Sequence, residues 1–161
     1  MDSFDVTSTG PEETGRIASI LAESLRAGDV ILLRGALAAG KTTFVKGVAA
    51  ALGSVDTVTS PTYMLAQFYR SESAPILHMD AYRLTGVAEY RDLGLEDYLA
   101  DSITLIEWGE KLADDFPCHL TIDFRAGAAD PDHRTLSFAS SCDRWISILP
   151  LLRAGVTLEV A

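Results

Sequence analysis

Gly35-Ala36-Leu37-Ala38-Ala39-Gly40-Lys41-Thr42 is the segment that decides the fold of this chain. It matches the pattern G-x-x-x-x-G-K-[ST] and follows Val30-Ile31-Leu32-Leu33, an apolar run typical of a strand buried in a parallel sheet. Residues 42–52 then have a helical pattern that ends at Gly53. A glycine-rich loop between a buried strand and a helix is the context of a phosphate-binding P-loop, so the segment predicts a nucleotide site.

The expected chemistry of this loop is specific. Backbone N–H groups at the start of the helix converge on phosphate oxygens. Lys41 supplies a positive charge to the β and γ phosphates, and the Thr42 hydroxyl ligates Mg²⁺. The chain contains no Asn, so the Asn-Lys-x-Asp signature by which GTPases recognise guanine is absent. ATP with Mg²⁺ is therefore the expected ligand.

Two further apolar runs each end on a carboxylate. Residues 75–79 lead into Asp80, and residues 103–106 lead into Glu107. Ligands of open α/β sheets lie beyond the carboxyl ends of the strands, so both side chains are predicted at the site. Glu107 is predicted to hold Mg²⁺ or to orient the attacking water, and Asp80 competes for the same role. Spacing alone leaves open which of the two contacts the metal.

Other residues near these strands are weaker candidates. The segment Ser60-Pro61-Thr62-Tyr63 is a candidate switch loop that presents hydroxyls to the γ-phosphate, although Ser-Pro is equally typical of a turn. His78 lies inside an apolar run, which favours a core histidine over a catalyst. Trp108 follows Glu107 and is a candidate nucleotide contact as well as a packing residue.

The whole pattern predicts a single α/β domain spanning residues 1–161. Alternating strands and helices indicate a P-loop NTPase-like three-layer sandwich with a mostly parallel central sheet. A C-terminal antiparallel hairpin is expected from residues 119–125 and 135–139. Helices are predicted at 11–26, with a capping box at Thr9-Gly10-Pro11-Glu12, within 88–100, and at 144–152.

Composition restricts the function classes. The net charge is −10, with 23 acidic and 13 basic residues, and the basic residues are scattered. Direct, tight binding of nucleic acid is disfavoured, because phosphate neutralisation needs concentrated positive charge. Residues 1–10 lack the pattern of a secretory signal and no stretch reaches a membrane-spanning length, so we expect a cytoplasmic protein without membrane contact. Cys118 and Cys142 are accordingly predicted to be reduced, packed thiols.

Five segments together resemble one family. They are residues 35–44, 60–63, 78–84 (His-Met-Asp-Ala-Tyr-Arg-Leu), 92–98 and 106–108 (Ile-Glu-Trp). In this order they are similar to the TsaE family, formerly YjeE, of small bacterial ATPases in tRNA threonylcarbamoyladenosine biosynthesis. The resemblance covers about residues 9–125.

This resemblance implies slow ATP hydrolysis by a subunit docked on a heterodimer of TsaB and TsaD, which modifies the tRNA; tRNA is then contacted only through these partners. It implies that Asp80 and Thr62 lie on the γ-phosphate side, and that Glu12 and Thr14 lie near the adenine. Thr42 and Glu107 would serve Mg²⁺. The nucleotide contacts implied in the loop are Leu37, Ala38, Ala39, Gly40, Lys41, Thr42 and Thr43.

The loop departs from the family pattern at two positions. The family usually reads G-D-L-G-A-G-K-T, whereas Ala36 replaces the acidic residue here and Ala38 replaces a glycine. If position 38 requires a positive φ, alanine costs about 1 kcal/mol there. These alanines keep open a nucleotide-binding regulatory module with negligible turnover. A small-molecule kinase is the other alternative, against which the lack of an arginine-rich lid segment argues.

Overall fold

The strands of the computed structural model, which describes residues 1–61 and 65–160, form one mixed sheet. Six α-helices and one 3-10 helix, Gly109–Asp115, are found in these described residues. The strands are β1 (Asp2–Ser8), β2 (Val30–Gly35), β3 (Ala66–Tyr69), β4 (Ile76–Asp80), β5 (Ile103–Glu107), β6 (Leu120–Ala126) and β7 (Arg134–Ser140). The helices are α1 (Pro11–Ala22), α2 (Lys41–Ala51), α3 (Val87–Asp92), α4 (Glu96–Leu99), α5 (Asp143–Ile146) and α6 (Leu149–Val160).

The sheet is mixed rather than mostly parallel. Its order is β1-β7-β6-β2-β5-β4-β3. Only β6, β2, β5 and β4 pair in parallel, whereas β1 with β7, β7 with β6, and β3 with β4 are antiparallel. The predicted α/β class and the β6–β7 hairpin are confirmed. The prediction of a mostly parallel sheet is wrong, because antiparallel strands extend both edges.

Helices cover both faces of the parallel strands, because side chains of β2 alternate between two apolar clusters. Ile31 and Leu33 belong to a cluster that includes buried residues of α1, α2, α5 and α6. Val30 and Leu32 belong to a second cluster, which includes buried residues of α3 and of the 3-10 helix. Residues 30–33 of β2 are buried, as their wholly apolar sequence predicted.

The parallel strands bring the predicted functional residues together at the carboxyl ends of β2, β4 and β5. In the register, Leu33 of β2 lies opposite Glu107 of β5, and Asp80 of β4 lies opposite the same Glu107. The loop that begins at Gly35 leaves β2 at this end. Strand order therefore places Glu107 between the glycine-rich loop and Asp80.

Several element predictions were wrong at the amino terminus. β1 was not predicted, because Phe4 is its one buried apolar side chain and polar residues dominate this edge strand. Helix α1 ends at Ala22 rather than near residue 26. Its N-cap is Gly10, and the Thr9 hydroxyl bonds the Glu13 carboxylate, so the predicted capping box does not form.

The elements at the carboxyl end differ from prediction in two ways. The single predicted closing helix is divided into α5 and α6, with Pro150 in the first turn of α6, where a missing N–H is tolerated. Strand β3 was also not predicted; it has 4 residues and, within residues 1–61 and 65–160, it pairs with β4 alone.

Cys118 and Cys142 form a disulfide, which corrects the prediction of reduced thiols. In the β6–β7 register, Thr121 lies opposite Ala139. Continuing three residues outward on each strand brings the two cysteines opposite one another, with their Cα atoms 5.2 Å apart. This separation lies in the range that a disulfide requires. The hairpin itself, rather than a spacing motif, pairs the cysteines.

Candidate nucleotide-binding site

The loop between β2 and α2 is shaped by residues with positive φ. Gly35 has φ +140, and a Cβ there would lie 2.6 Å from the Phe124 carbonyl oxygen on β6, so the close approach requires glycine. Gly40 has φ 106 and is the N-cap of α2. The two glycines thus turn the chain sharply and aim the first N–H groups of α2 into the loop.

Ala38 lies in the left-handed region, with φ 61. Because φ is positive here, alanine at position 38 carries backbone strain that a glycine would avoid. The neighbouring carbonyls are held from outside the loop. Arg134 on β7 donates from Nε to the Ala39 oxygen at 3.1 Å and from Nη2 to the Ala38 oxygen at 3.3 Å.

Arg134 was missed by sequence reasoning, because its position depends on how strand β6 pairs with β2. β6 runs parallel to β2, so the turn of the predicted hairpin must lie at the same edge of the sheet as the glycine-rich loop. An arginine at the start of β7 therefore lies near the phosphate cradle.

Lys41 is almost completely buried, with 4% of its surface exposed. Its Nζ donates to the carbonyl oxygens of Gly35, at 2.6 Å, and Ala36, at 2.9 Å. The same nitrogen lies 4.2 Å from the centroid of the Trp108 ring, a cation–π contact. The ammonium group is thus held inside the loop, where its donors face backbone oxygens.

Burial lowers the pKa of the Lys41 ammonium below its ordinary value. The negative charges of Glu107, Asp80 and Glu110 act in the opposite direction and raise this pKa, but by less than burial lowers it. An anion placed against Lys41 would offset the desolvation. The electrostatics of the cradle therefore favour a negatively charged ligand.

Thr42 and Glu107 form the second half of the site. The Thr42 hydroxyl lies 3.0 Å from each oxygen of the Glu107 carboxylate, which is 4% exposed. Oε2 of the same carboxylate lies 2.6 Å from Nε2 of His78, a fully buried side chain. A hydroxyl and a carboxylate side by side are the oxygen ligands that Mg²⁺ accepts from proteins.

Asp80 lies beside this pair. Its Oδ1 accepts a 2.8 Å hydrogen bond from the Tyr82 N–H, and 5% of the residue is exposed. Trp108 has φ 59, and its ring lies 5.0 Å from that of Tyr82. A non-glycine residue in the left-handed region directly after Glu107 turns the chain back over Lys41.

One cavity of about 420 Å³ gathers most of the predicted residues. It is lined by Leu37, Ala38, Ala39, Gly40, Lys41, Thr42, Thr43, Ser60, Asp80, Glu107 and Trp108. Thr62 lies outside the described residues. A larger cavity of about 680 Å³, between β1 and α6, contains none of the predicted residues.

The two residues predicted near the adenine differ in position. Thr14 is buried and its hydroxyl lies 2.7 Å from the Ser8 hydroxyl. It lines a cavity of about 110 Å³ that shares Ala38, Gly40 and Thr43 with the cavity of about 420 Å³. Glu12 lines neither cavity. Its exposed carboxylate instead lies 3.4 Å from Arg16 on the same helix.

No group of three or more His, Cys, Asp or Glu side chains suited to a metal ion occurs among residues 1–61 and 65–160. This finding is compatible with P-loop magnesium, which takes one or two protein ligands and the rest from phosphate and water. The Thr42 and Glu107 oxygens therefore fit such an ion. Nor do these described residues contain a helix that is long and apolar enough to cross a membrane.

Comparison with known proteins decides the family. The family model described as threonylcarbamoyl adenosine biosynthesis protein TsaE matches residues 8–136. The chain belongs to the TsaE family. It is 39% identical over 141 residues to the tRNA threonylcarbamoyladenosine biosynthesis protein TsaE of Streptomyces coelicolor, covering 84% of this chain and 95% of that protein. Identity to the TsaE of Bacillus subtilis is 37% over 136 residues, covering 84% of each chain.

A solved structure supports the same assignment. The crystal structure of Bacillus subtilis YdiB superposes with a TM-score of 0.79 at 31% identity, covering 95% of both chains. The resemblance inferred from five sequence segments is therefore confirmed, and this chain is a member of the TsaE family in tRNA threonylcarbamoyladenosine biosynthesis.

Proposed function

We propose that this TsaE-family chain is a Mg²⁺-dependent ATPase that supports tRNA threonylcarbamoylation together with a TsaB–TsaD heterodimer. One observation carries the proposal. The hydroxyl of Thr42, which directly follows the buried Lys41 of a P-loop, lies 3.0 Å from the Glu107 carboxylate. Family membership supports the role in tRNA modification. The nucleotide, the metal ion and the partners are our inference.

The residues of the loop would hold the nucleotide. N–H groups at the start of α2 would receive phosphate oxygens, and Lys41 would exchange its bonds to the Gly35 and Ala36 carbonyls for bonds to the β and γ phosphates. Leu37, Ala38, Ala39, Gly40 and Thr43 line the rest of the cradle, with Trp108 packed against the lysine.

Thr42 and Glu107 would ligate Mg²⁺, which when bound neutralises charge that develops on the transferred phosphoryl group. Glu107 is our choice over Asp80 as the metal-side carboxylate, because it already shares a hydrogen bond with Thr42. Asp80 and Thr62 are proposed on the γ-phosphate side, where a carboxylate orients the attacking water. Thr14 and Glu12 are proposed near the adenine, and the small cavity beside Thr14 supports this side.

The partner role is supported by charge. A net charge of −10 repels a tRNA backbone at long range, so direct binding of tRNA by this chain is disfavoured. Contact with tRNA through TsaB and TsaD avoids that repulsion.

Two substitutions divide binding from hydrolysis. Lys41→Ala removes an interaction with a charged ligand that contributes about 1.5–3 kcal/mol in total, so ATP affinity should fall roughly 10–150-fold. Measured at saturating Mg²⁺, Glu107→Ala should leave ATP affinity within about threefold and lower turnover about 100-fold, the size of effect expected for a group that acts on transition-state charge. Titration of a fluorescent ATP analogue and phosphate release measure the two quantities. An equal loss of affinity in both variants would contradict the assigned roles.

A nucleotide-binding module with negligible turnover is the second candidate, favoured by the strain at Ala38. The same phosphate-release assay separates the two functions. Turnover by the wild-type chain no higher than that of Lys41→Ala, with and without the partners, would establish the binding module.

A further inference from the structure

A chain of buried hydrogen bonds reaches Glu107 from the side opposite the phosphate cradle. His78 is fully buried on β4, with Nε2 lying 2.6 Å from Oε2 of Glu107 and Nδ1 lying 2.9 Å from the Tyr69 hydroxyl. Tyr69, on β3, is 3% exposed. None of these contacts follows from packing apolar side chains, and each one buries polar groups at a cost that only good hydrogen bonds offset.

If the His78 imidazole is neutral, the hydrogen bonds from Tyr69 through His78 to Glu107 have one consistent arrangement of protons. A carboxylate only accepts hydrogen bonds, so Nε2 of His78 must donate to Glu107, and Nδ1 is then the acceptor. The Tyr69 hydroxyl therefore donates to Nδ1, which is also its shortest contact; the Gln67 and Thr59 oxygens lie at 3.2 and 3.3 Å. Burial raises the pKa of the Tyr69 phenol above its ordinary value, so the hydroxyl keeps its proton.

The result is a carboxylate held from both sides. Thr42 reaches Glu107 from the cradle, and His78 holds Oε2 from within the sheet. A carboxylate fixed in this way does not have to be ordered when the metal ion binds. Residues that orient metal ligands through hydrogen bonds typically contribute 10–100-fold to metal affinity or activity.

We propose that Tyr69 and His78 are positioning residues, in which the Tyr69 hydroxyl fixes the His78 imidazole and His78 holds the Glu107 carboxylate in the orientation that receives Mg²⁺ beside Thr42. This inference rests on the proposed nucleotide and metal site. The Tyr69 hydroxyl also lies 3.3 Å from the Thr59 carbonyl oxygen, so these hydrogen-bonded side chains reach the segment that leads to Ser60.

The test measures the Mg²⁺ concentration that gives half-maximal binding of a fluorescent ATP analogue, together with kcat and KM. His78→Leu removes the donor and should raise this concentration about 10–100-fold. His78→Gln keeps an N–H at a similar reach and should stay within about threefold of wild type. Tyr69→Phe deletes one neutral hydrogen bond of about 0.5–1.5 kcal/mol, so a rise of roughly 2–12-fold is expected. In His78→Leu and Tyr69→Phe, kcat should fall more than KM changes, and ATP-analogue binding in EDTA should match wild type.

Tyr90→Phe is the matched control. Tyr90 is fully buried, and within the described residues its hydroxyl has no hydrogen-bond partner and does not line the cradle. If His78→Leu fails to fold, Tyr69→Phe decides, because it removes a single oxygen atom.

Shifts in His78→Leu and Tyr69→Phe no larger than those in Tyr90→Phe would overturn the inference, as would equal shifts in His78→Leu and His78→Gln. Wild-type protein that binds no ATP analogue at any Mg²⁺ concentration would instead refute the proposed function. Magnesium-dependent binding by wild type with unshifted variants refutes the positioning role alone.

Discussion

Replacing Ala38 by glycine isolates the cost of the altered phosphate loop. Ala38 is exposed and has φ 61, a conformation that costs an L-residue roughly 1–2 kcal/mol relative to glycine. Ala36, two residues earlier, is also exposed and is not among the residues with positive φ. Both positions keep their backbone hydrogen bonds when the methyl group is removed, so the pair is a matched comparison.

The magnitudes follow from the two states of the chain. Glycine increases the conformational entropy of the unfolded chain, which lowers stability by about 0.4–1 kcal/mol at either position. Ala36→Gly should show only this loss. Ala38→Gly also relieves the strain, so it should be more stable than Ala36→Gly by roughly 1–2 kcal/mol. For a domain of this size each kcal/mol shifts the Tm by about 2–4 °C.

The assay is urea and thermal unfolding of both variants without nucleotide, followed by titration with an ATP analogue. Affinity should change less than about threefold in Ala38→Gly, because Gly40, Lys41 and Thr42 are unchanged and one neutral interaction contributes at most about 1 kcal/mol. Equal destabilisation by the two glycines would refute the reasoning that position 38 is strained.

Two further predictions concern stability away from the cradle. Replacing Cys118 and Cys142 by serine removes a disulfide between residues 24 apart and should lower the free energy of unfolding by about 3 kcal/mol, measured by urea unfolding. The difference between variant and wild type should disappear when both are measured in a reducing thiol, and a difference that persists there would contradict the prediction. Arg144 binds the buried Asp29 carboxylate through Nε at 3.0 Å and Nη2 at 2.8 Å, so Arg144→Ala should cost about 3–5 kcal/mol by leaving that charge unpaired. A loss below about 1 kcal/mol in the same assay would show that Asp29 is solvated.

Features with local signals were predictable from the sequence. The buried runs before Gly35, Asp80 and Glu107 predicted β2, β4 and β5, because a strand covered on both faces must be continuously apolar. The glycine-rich pattern predicted the loop, and the helix pattern after it predicted α2. Edge strands lack this continuous apolar pattern, because many of their side chains face solvent and are polar. The strands β1 and β3 were missed for this reason.

Most residues that line the candidate site were predictable from the sequence, but the hydrogen bonds between them were not. Parallel strands share an edge, so Asp80 and Glu107 were expected near the loop. Which carboxylate faces Thr42 depends on strand order, which the sequence does not state: β5 lies between β2 and β4. The roles of His78 and Arg134 depend on partners on other strands, β3 and β5 for His78 and the loop after β2 for Arg134.

The central claim is tested most directly by phosphate release from ATP, measured for wild type and Glu107→Ala with and without the TsaB–TsaD heterodimer. The proposed function predicts Mg²⁺-dependent release by wild type that rises when the heterodimer is added, and release by Glu107→Ala about 100-fold lower in both conditions. Release that the heterodimer does not change, with Glu107→Ala as active as wild type, would contradict it.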